Sequence, residues 1–297
     1  MKVRKKKRDI FNTPAGRVFD VFNIIILGIF GFITILPFLY IIAGSFATEL
    51  ELTTRSFFII PKTFTLGAYK YIFESGTIIR SLVITIGVTV VGTMVQLFCT
   101  FTMAYPLSKV NLKGRSIILK LVLFTMVFSG GMIPGYLVVK SLGLLNSYWA
   151  LILPIAINPF NLLIIKNSFQ EFPNELIEAA KIDGCSEIRT FIKIVLPLST
   201  PIIATFTLFY AVGIWNDFFS GFLYLNDSSK WTLQVLLRQI TLMSSASAAG
   251  DINEFIEVPK EGVKLAAIAV ATTPILCIYP FLQKHFAKGM MMGSIKG

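Results

Sequence analysis

Charge is what this chain has least of. Asp, Glu, Lys and Arg make up 14% of its 297 residues, hydrophobic residues make up 55%, and the mean hydropathy is +0.74. A soluble domain carries roughly 25% charged residues to cover its surface, so the composition excludes a soluble globular protein. Histidine occurs once, at His285, beside Lys284 and after the last long apolar run. One imidazole without partners supplies neither a metal site nor a membrane-embedded acid–base cluster. Cys99, Cys185 and Cys277 are odd in number and far apart, and two lie in apolar runs. That spacing argues against a disulfide framework or a thiolate metal site. There is no G-x-x-x-x-G-K-[ST] phosphate loop, so the chain does not bind ATP in that way. Internal repeats and low-complexity tracts are also missing.

Long uncharged stretches, in contrast, are plentiful. Residues 21–48, 81–108, 121–139, 141–165, 194–216 and 265–283 carry no charge at all. About 20 apolar residues cross a hydrocarbon core as a helix, which satisfies its own backbone hydrogen bonds there. The expected fold is therefore an all-α membrane protein with six transmembrane helices. The weakest boundary lies between the third and fourth, where Lys140 and the turn-like Gly143–Ser147 stand between two spans.

Lys2, Arg4, Lys5, Lys6, Lys7 and Arg8 precede an apolar run too long for a signal-peptide core, with no small-residue cleavage site behind it. The N-terminus reads as a basic cytoplasmic leader to a retained helix, and six crossings return the C-terminus to the cytoplasm. On this topology 18 of the 27 basic residues fall inside, as the positive-inside rule requires. The basic excess then faces anionic lipid, and nucleic acid binding is a poor reading of it. The expected organisation is a basic arm over 1–19, one transmembrane domain over 20–284 that includes a loop at 168–195, and a tail over 285–297.

Several spans carry irregular signals. The first contains Pro37, and the second carries Gly87 and Gly92, small enough for close helix packing. Ser129–Gly135, with three glycines and a proline, predicts a bend or unwound turn near the outer end of the third. The fourth (about 148–167) holds Asn158, Pro159 and Asn161 near mid-membrane, where amides should face the bundle interior.

The 168–195 loop is charged and helix-forming. Asn174 is a candidate N-cap with Glu175 near the positive helix end, Gly184 supplies a left-handed stop, and Ser186 caps a second helix over Glu187–Val195. Pro197 and Pro201 then begin the next span. Leu176, Ile177 and Ala180 share one face of the first short helix. Ile188, Phe191, Ile192 and Val195 share one face of the second. An amphipathic helix lying on lipid usually has a basic polar face. Here five acids (Glu171, Glu175, Glu178, Asp183 and Glu187) outnumber Lys181, Arg189 and Lys193. The exposed apolar patch therefore points to a protein partner.

Glu178-Ala179-Ala180, then three residues, Gly184, nine residues, and Ile194-x-Leu196-Pro197 fill every fixed position of the EAA loop. In this the chain resembles the permease subunits of type I ABC importers, specifically the carbohydrate-uptake, maltose-permease-like family. The resemblance extends to Gly143–Ser147, Trp215-Asn216-Asp217-Phe218 and the C-terminal Lys288-Gly289 with Gly293-Ser294-Ile295-Lys296-Gly297, an ending similar to that of the oligosaccharide and aldouronate branch. It implies a MetI-like fold in a bacterial cell membrane and a non-catalytic role. It also implies a homologous second permease, two cytoplasmic ATPase subunits that bind ATP and magnesium, and an extracytoplasmic solute-binding protein. No cofactor or metal is expected on this chain. By the same resemblance, Glu178, Ala179, Ala180, Asp183, Gly184, Ile194, Leu196 and Pro197 would receive ATPase motion, and the short tail after Gly289 would reach between the ATPases.

A sugar needs hydrogen-bonding groups beside aromatic platforms. Asn158, Asn161, Tyr210, Trp215, Asn216 and Asp217 have that chemistry at plausible depth, although each would also serve to join helices. A proton- or ion-coupled transporter would need intramembrane ionisable groups and inverted repeats, and only Asp217 qualifies. A membrane enzyme would need a cluster that one histidine cannot supply. An amino-acid or metal permease of the same family is the nearer alternative.

Overall fold

The computed structural model describes the backbone of residues 14–248 and 261–293, and side chains over 18–173, 175–243 and 261–277. Every regular element among the described residues is a helix, without strands. They divide into two compact units, the first from residues 14–71 and 261–269, the second from residues 72–248 and 270–293.

The first unit opens with α1 (Pro14–Ser45), whose apolar Val18–Ser45 stretch is exposed along most of its length and contains Pro37. Helix α2 (Glu49–Thr54) and the start of α3 (Gly67–Ser75) follow. The loop between them is folded around one carboxylate. Glu51 accepts hydrogen bonds from the Lys62 and Thr63 backbone N–H groups and pairs with Arg55. The Lys62 amide, the largest influence, holds this carboxyl below its usual range, against burial. Tyr40 packs on Phe57 and Phe58, and Phe46 on Phe64 and Tyr69.

The second unit is organised by α4 (Thr77–Ser108). At about 1.5 Å per residue its 32 residues span roughly 48 Å, longer than a ~30 Å hydrocarbon core. The chain continues through α5 (Arg115–Val127) and α6 (Met132–Ser141), then α7 (Trp149–Ile152) with a 3-10 turn Leu153–Ile155, α8 (Pro159–Gln170) and α9 (Asn174–Ile182). Next come α10 (Glu187–Thr190), a π-helical turn Phe191–Val195 and α11 (Leu196–Leu198), which form one run. After these come α12 (Thr200–Trp215), α13 (Phe219–Tyr224), α14 (Leu233–Ala248) and α15 (Glu261–Gly293), which contributes residues to both units. Helix α4 packs against α8, α12, α14 and α7.

Among the described residues, two unbroken helices, Val18–Ser45 and Thr77–Ser108, are long and apolar enough to cross a membrane, and three further pairs qualify only as bent spans. The expected third span is thus not one helix. It breaks at 128–131, and α6 turns through 119° from α5. The cause is the glycine run foreseen there: Gly131 sits at φ +83°, where L side chains are strained. The expected fourth span is also broken, by 52°, at Asn158. Asn158 caps α8 by accepting the Asn161 N–H at 3.0 Å, and Pro159 follows in the first turn. The turn before α7 forms as expected, with Gly143 and Asn146 both at positive φ.

Close approach explains only one of the two α4 glycines. A Cβ on Gly92 would lie 2.7 Å from Ile214 Cδ1, whereas one on Gly87 would meet nothing within 4 Å. Acyl chains are as apolar as leucine, so apolar burial alone drives helices together weakly inside a bilayer. Close packing and polar links decide instead. Helix α4 supplies both through a buried stripe at three- and four-residue spacing: Ser81, Thr85, Thr89, Gly92, Gln96 and Thr100. Thr85 accepts the Leu233 N–H, and Gln96 donates to the Ile155 carbonyl freed by the break in the fourth span.

Candidate functional site: the elbow and the polar wall

The EAA segment folds as two short helices around a glycine. Helix α9 ends where Gly184 adopts φ +75°. The Cys185 N–H reaches the Ala180 carbonyl at 2.9 Å and the Gly184 N–H reaches Lys181 at 3.0 Å, the six-to-one and five-to-two bonds of a Schellman stop. Ser186 caps α10 by accepting the Arg189 N–H at 3.3 Å, as expected. Two details differ from the sequence reading. Pro173, not Asn174, occupies the cap position of α9. Pro197 does not begin the next span either. It lies inside the run Glu187–Leu198, and the 79° bend falls at Ser199, with Pro201 in the first turn of α12. Pro197 has no N–H for the Lys193 carbonyl and its ring would press on it, so the wider π turn before it relieves the clash.

Glu178, Ala179, Asp183, Gly184 and Pro197 are exposed, Ile194 and Leu196 half-buried, and Ala180 buried. The apolar face of the second helix is divided. Phe191, Val195 and Leu196 pack into a core with Phe101, Tyr105, Phe169 and Phe206. Ile188 and Ile192, at 72% and 56% exposure, face outward, as does Ile182 at 86%. A cleft of about 1370 Å³ opens between this surface and the end of α4, lined by Phe98, Tyr105, Lys109, Glu178, Ile188 and Ile192 among others.

A polar cluster that sequence reasoning missed lies at the mouth of this cleft. The Tyr105 hydroxyl donates to Glu187 Oε2 at 3.0 Å, Lys181 Nζ meets Glu187 Oε1 at 2.7 Å, and Lys109 Nζ stands 4.7 Å from the centre of the Tyr105 ring. The Lys181 hydrogen bond, the largest influence, holds the Glu187 carboxyl below its usual range against burial, with Tyr105 and Lys109 assisting. Burial lowers the Lys109 ammonium, opposed by Glu187. No local pattern announces a contact spanning 82 residues. The available signal was a tyrosine and a lysine four residues apart at an apolar helix end.

The residues proposed for sugar contact fall into two places. Tyr210 is buried and donates to Thr100 Oγ1 at 3.1 Å, with the half-buried Asn161 amide against the same hydroxyl and exposed Asn158 at the head of α8. Trp215, Asn216 and Asp217 lie about a turn and a half farther along. Trp215 is buried, Asn216 is exposed with its amide on the Val212 carbonyl, and half-buried Asp217 accepts the Ser220 N–H at 3.1 Å. Tyr210 and Trp215 therefore present no open ring face within this chain. Among the described residues, no group of three His, Cys, Asp or Glu side chains is placed to hold a metal ion.

The family match gives this bent all-helical fold its class, a membrane component of a transport system. Over residues 10–292 the chain matches the family described as binding-protein-dependent transport system inner membrane component, and it belongs to that family. It is 68% identical over 287 residues to Protein LplC of Bacillus subtilis (strain 168), covering 96% of this chain and 97% of that one. It is 55% identical over 285 residues to the polygalacturonan/rhamnogalacturonan transport system permease protein YtcP of the same organism, covering 95% and 99%. Among solved structures it is similar to a chain of a bacterial ABC transporter involved in the import of the acidic polysaccharide alginate. The TM-score is 0.84 at 31% identity, over 93% of this chain and 99% of that one.

Proposed function

We propose that this chain is one permease subunit of an ATP-driven, binding-protein-dependent importer of sugars, with oligosaccharides as cargo. The observation that carries the reading is the elbow: a Schellman turn at Gly184 projects Glu178, Ala179, Ile182 and Ile188 outward. The relatives named for polygalacturonan and alginate transport support a saccharide cargo. Six crossings leave both termini and the elbow in the cytoplasm, with α15 as the sixth. Two cytoplasmic ATPases bind ATP and magnesium, and this chain needs no cofactor of its own. A homologous second permease completes the pore, and an extracytoplasmic binding protein delivers the sugar.

The work of this subunit is conformational. ATPase closure moves the elbow, and the motion re-exposes the pore to the opposite side. Sugar contact falls on the amides of Asn158, Asn161 and Asn216, with Asp217, while Tyr210 and Trp215 shape the wall behind them. The assembled complex in proteoliposomes, supplied with its binding protein and labelled oligogalacturonides, tests this. ATP-dependent accumulation supports the reading, and uptake driven by an ion gradient without ATP contradicts it.

A further inference from the structure

We propose that Tyr105 and Glu187 are positioning residues that bolt the elbow to α4, so that elbow and α4 move as one body. The proposal rests on the importer reading above and adds the route by which motion enters the bundle. The second elbow helix continues covalently only into α12, and that path bends by 79° at Ser199, a joint suited to yielding. The link to α4 is side-on and built in layers. The Tyr105 ring packs 4.8 Å from Phe191, centre to centre, and 6.3 Å from Phe169. Its hydroxyl then reaches past the rings to Glu187. The same carboxylate holds Lys181 of α9 with its other oxygen, so one residue ties both elbow helices to each other and to α4. Tyr105 is buried at 8% exposure, which fixes its ring, while the Glu187 side chain is 55% exposed and owes its position to these partners. Because α4 packs against α8, α12, α14 and α7, a push delivered at Glu187 reaches most of the second unit without passing through the bend.

Spin labels at Asn111, beyond the end of α4, and at exposed Ile182 report the distance between α4 and the elbow. They are placed in a chain whose Cys99, Cys185 and Cys277 are replaced by serine, within the full complex. The expected result is one narrow distance, unchanged between nucleotide-free and vanadate-trapped states, in the otherwise unaltered chain. Glu187→Gln, which keeps an acceptor for the phenol but loses the ion pair with Lys181, should broaden it less than Tyr105→Phe does. Tyr105→Phe, which keeps the ring stack, should broaden it, with a several-fold fall in oligogalacturonide moved per ATP. A distance that shifts on trapping, or a Tyr105→Phe complex with an unchanged distance and an unchanged ratio, overturns the bolt. Failure of the importer reading is separate: an unaltered chain that retains no ATP-hydrolysing subunit refutes that reading and the bolt together.

Discussion

Gly92 and Ile214 meet tightly where α4 packs on α12: a methyl on Gly92 would stand 2.7 Å from the end of the Ile214 side chain, with Ile152 at 3.5 Å. The obstructing atom is a flexible terminus, so Gly92→Ala should cost no more than about 1 kcal/mol as Ile214 turns aside. Gly92→Leu overpacks the seam and should cost about 1–3 kcal/mol or more. Thermal unfolding of the two variants in detergent checks the difference.

Gly184 has ample space around it but a left-handed backbone. An L side chain there costs about 1–2 kcal/mol, with Asn tolerated best. Gly184→Pro should be far worse, since proline fixes φ near −65° and removes the N–H that closes on Lys181. ATP-driven uptake should therefore fall in the order glycine, asparagine, alanine, proline. The amount of chain in the membrane should stay constant across the set.

Reversing charge at exposed Glu178 leaves the fold without a structural reason to change. Glu178→Lys should reduce uptake and ATPase stimulation by the binding protein at least ten-fold while insertion and melting temperature hold. Loss of insertion would assign the residue to folding instead.

Glu49 sits at the start of α15, accepting the N–H groups of Glu261 at 3.0 Å and Gly262 at 3.4 Å. A carboxylate at a helix N-terminus contributes about 1 kcal/mol through capping and the helix dipole. Glu49→Ala should accordingly raise amide exchange at 261–264 about five-fold, with Glu49→Gln intermediate.

Acid should loosen the elbow. Glu187 titrates below its usual range because of Lys181 and Tyr105, so its contribution is complete above the ordinary carboxylate value of about 4.3. It fades as pH falls through the lower folded-state value. The Glu187 side chain is half in solvent, so screening keeps the energy small. A mobility probe at Ile188 should be restrained at pH 7 and freer near pH 3, and Glu187→Gln should abolish that dependence.

Much of this was readable in the residues. Uncharged runs located the apolar segments, Ser129–Gly135 announced its bend, and Gly184 with Ser186 announced the two-helix elbow, because each signal acts within a few residues of itself. The break at Asn158 was also written locally: an Asn-Pro pair is an ordinary cap and first turn. A continuous apolar run masked it, since hydropathy registers immersion and not helix continuity. Tyr105 with Glu187 and Glu49 with Gly262 were illegible, as each joins residues 82 or more positions apart. The α4 stripe lay between these cases. Ser81, Thr85 and Thr89 repeat every four residues, a period that could have been counted. Residues 1–13 of the basic arm over 1–19, and residues 294–297 of the tail over 285–297, lie outside the described residues.

The central claim is that the elbow is the contact with an ATP-hydrolysing partner. A photo-crosslinking amino acid at Ile182, 86% exposed at the tip of α9, tests it in intact cells. The account predicts a single dominant adduct to an ATPase subunit, protected from membrane-impermeant reagents added outside. An adduct to the binding protein, or labelling of residue 182 from the external medium, would contradict it.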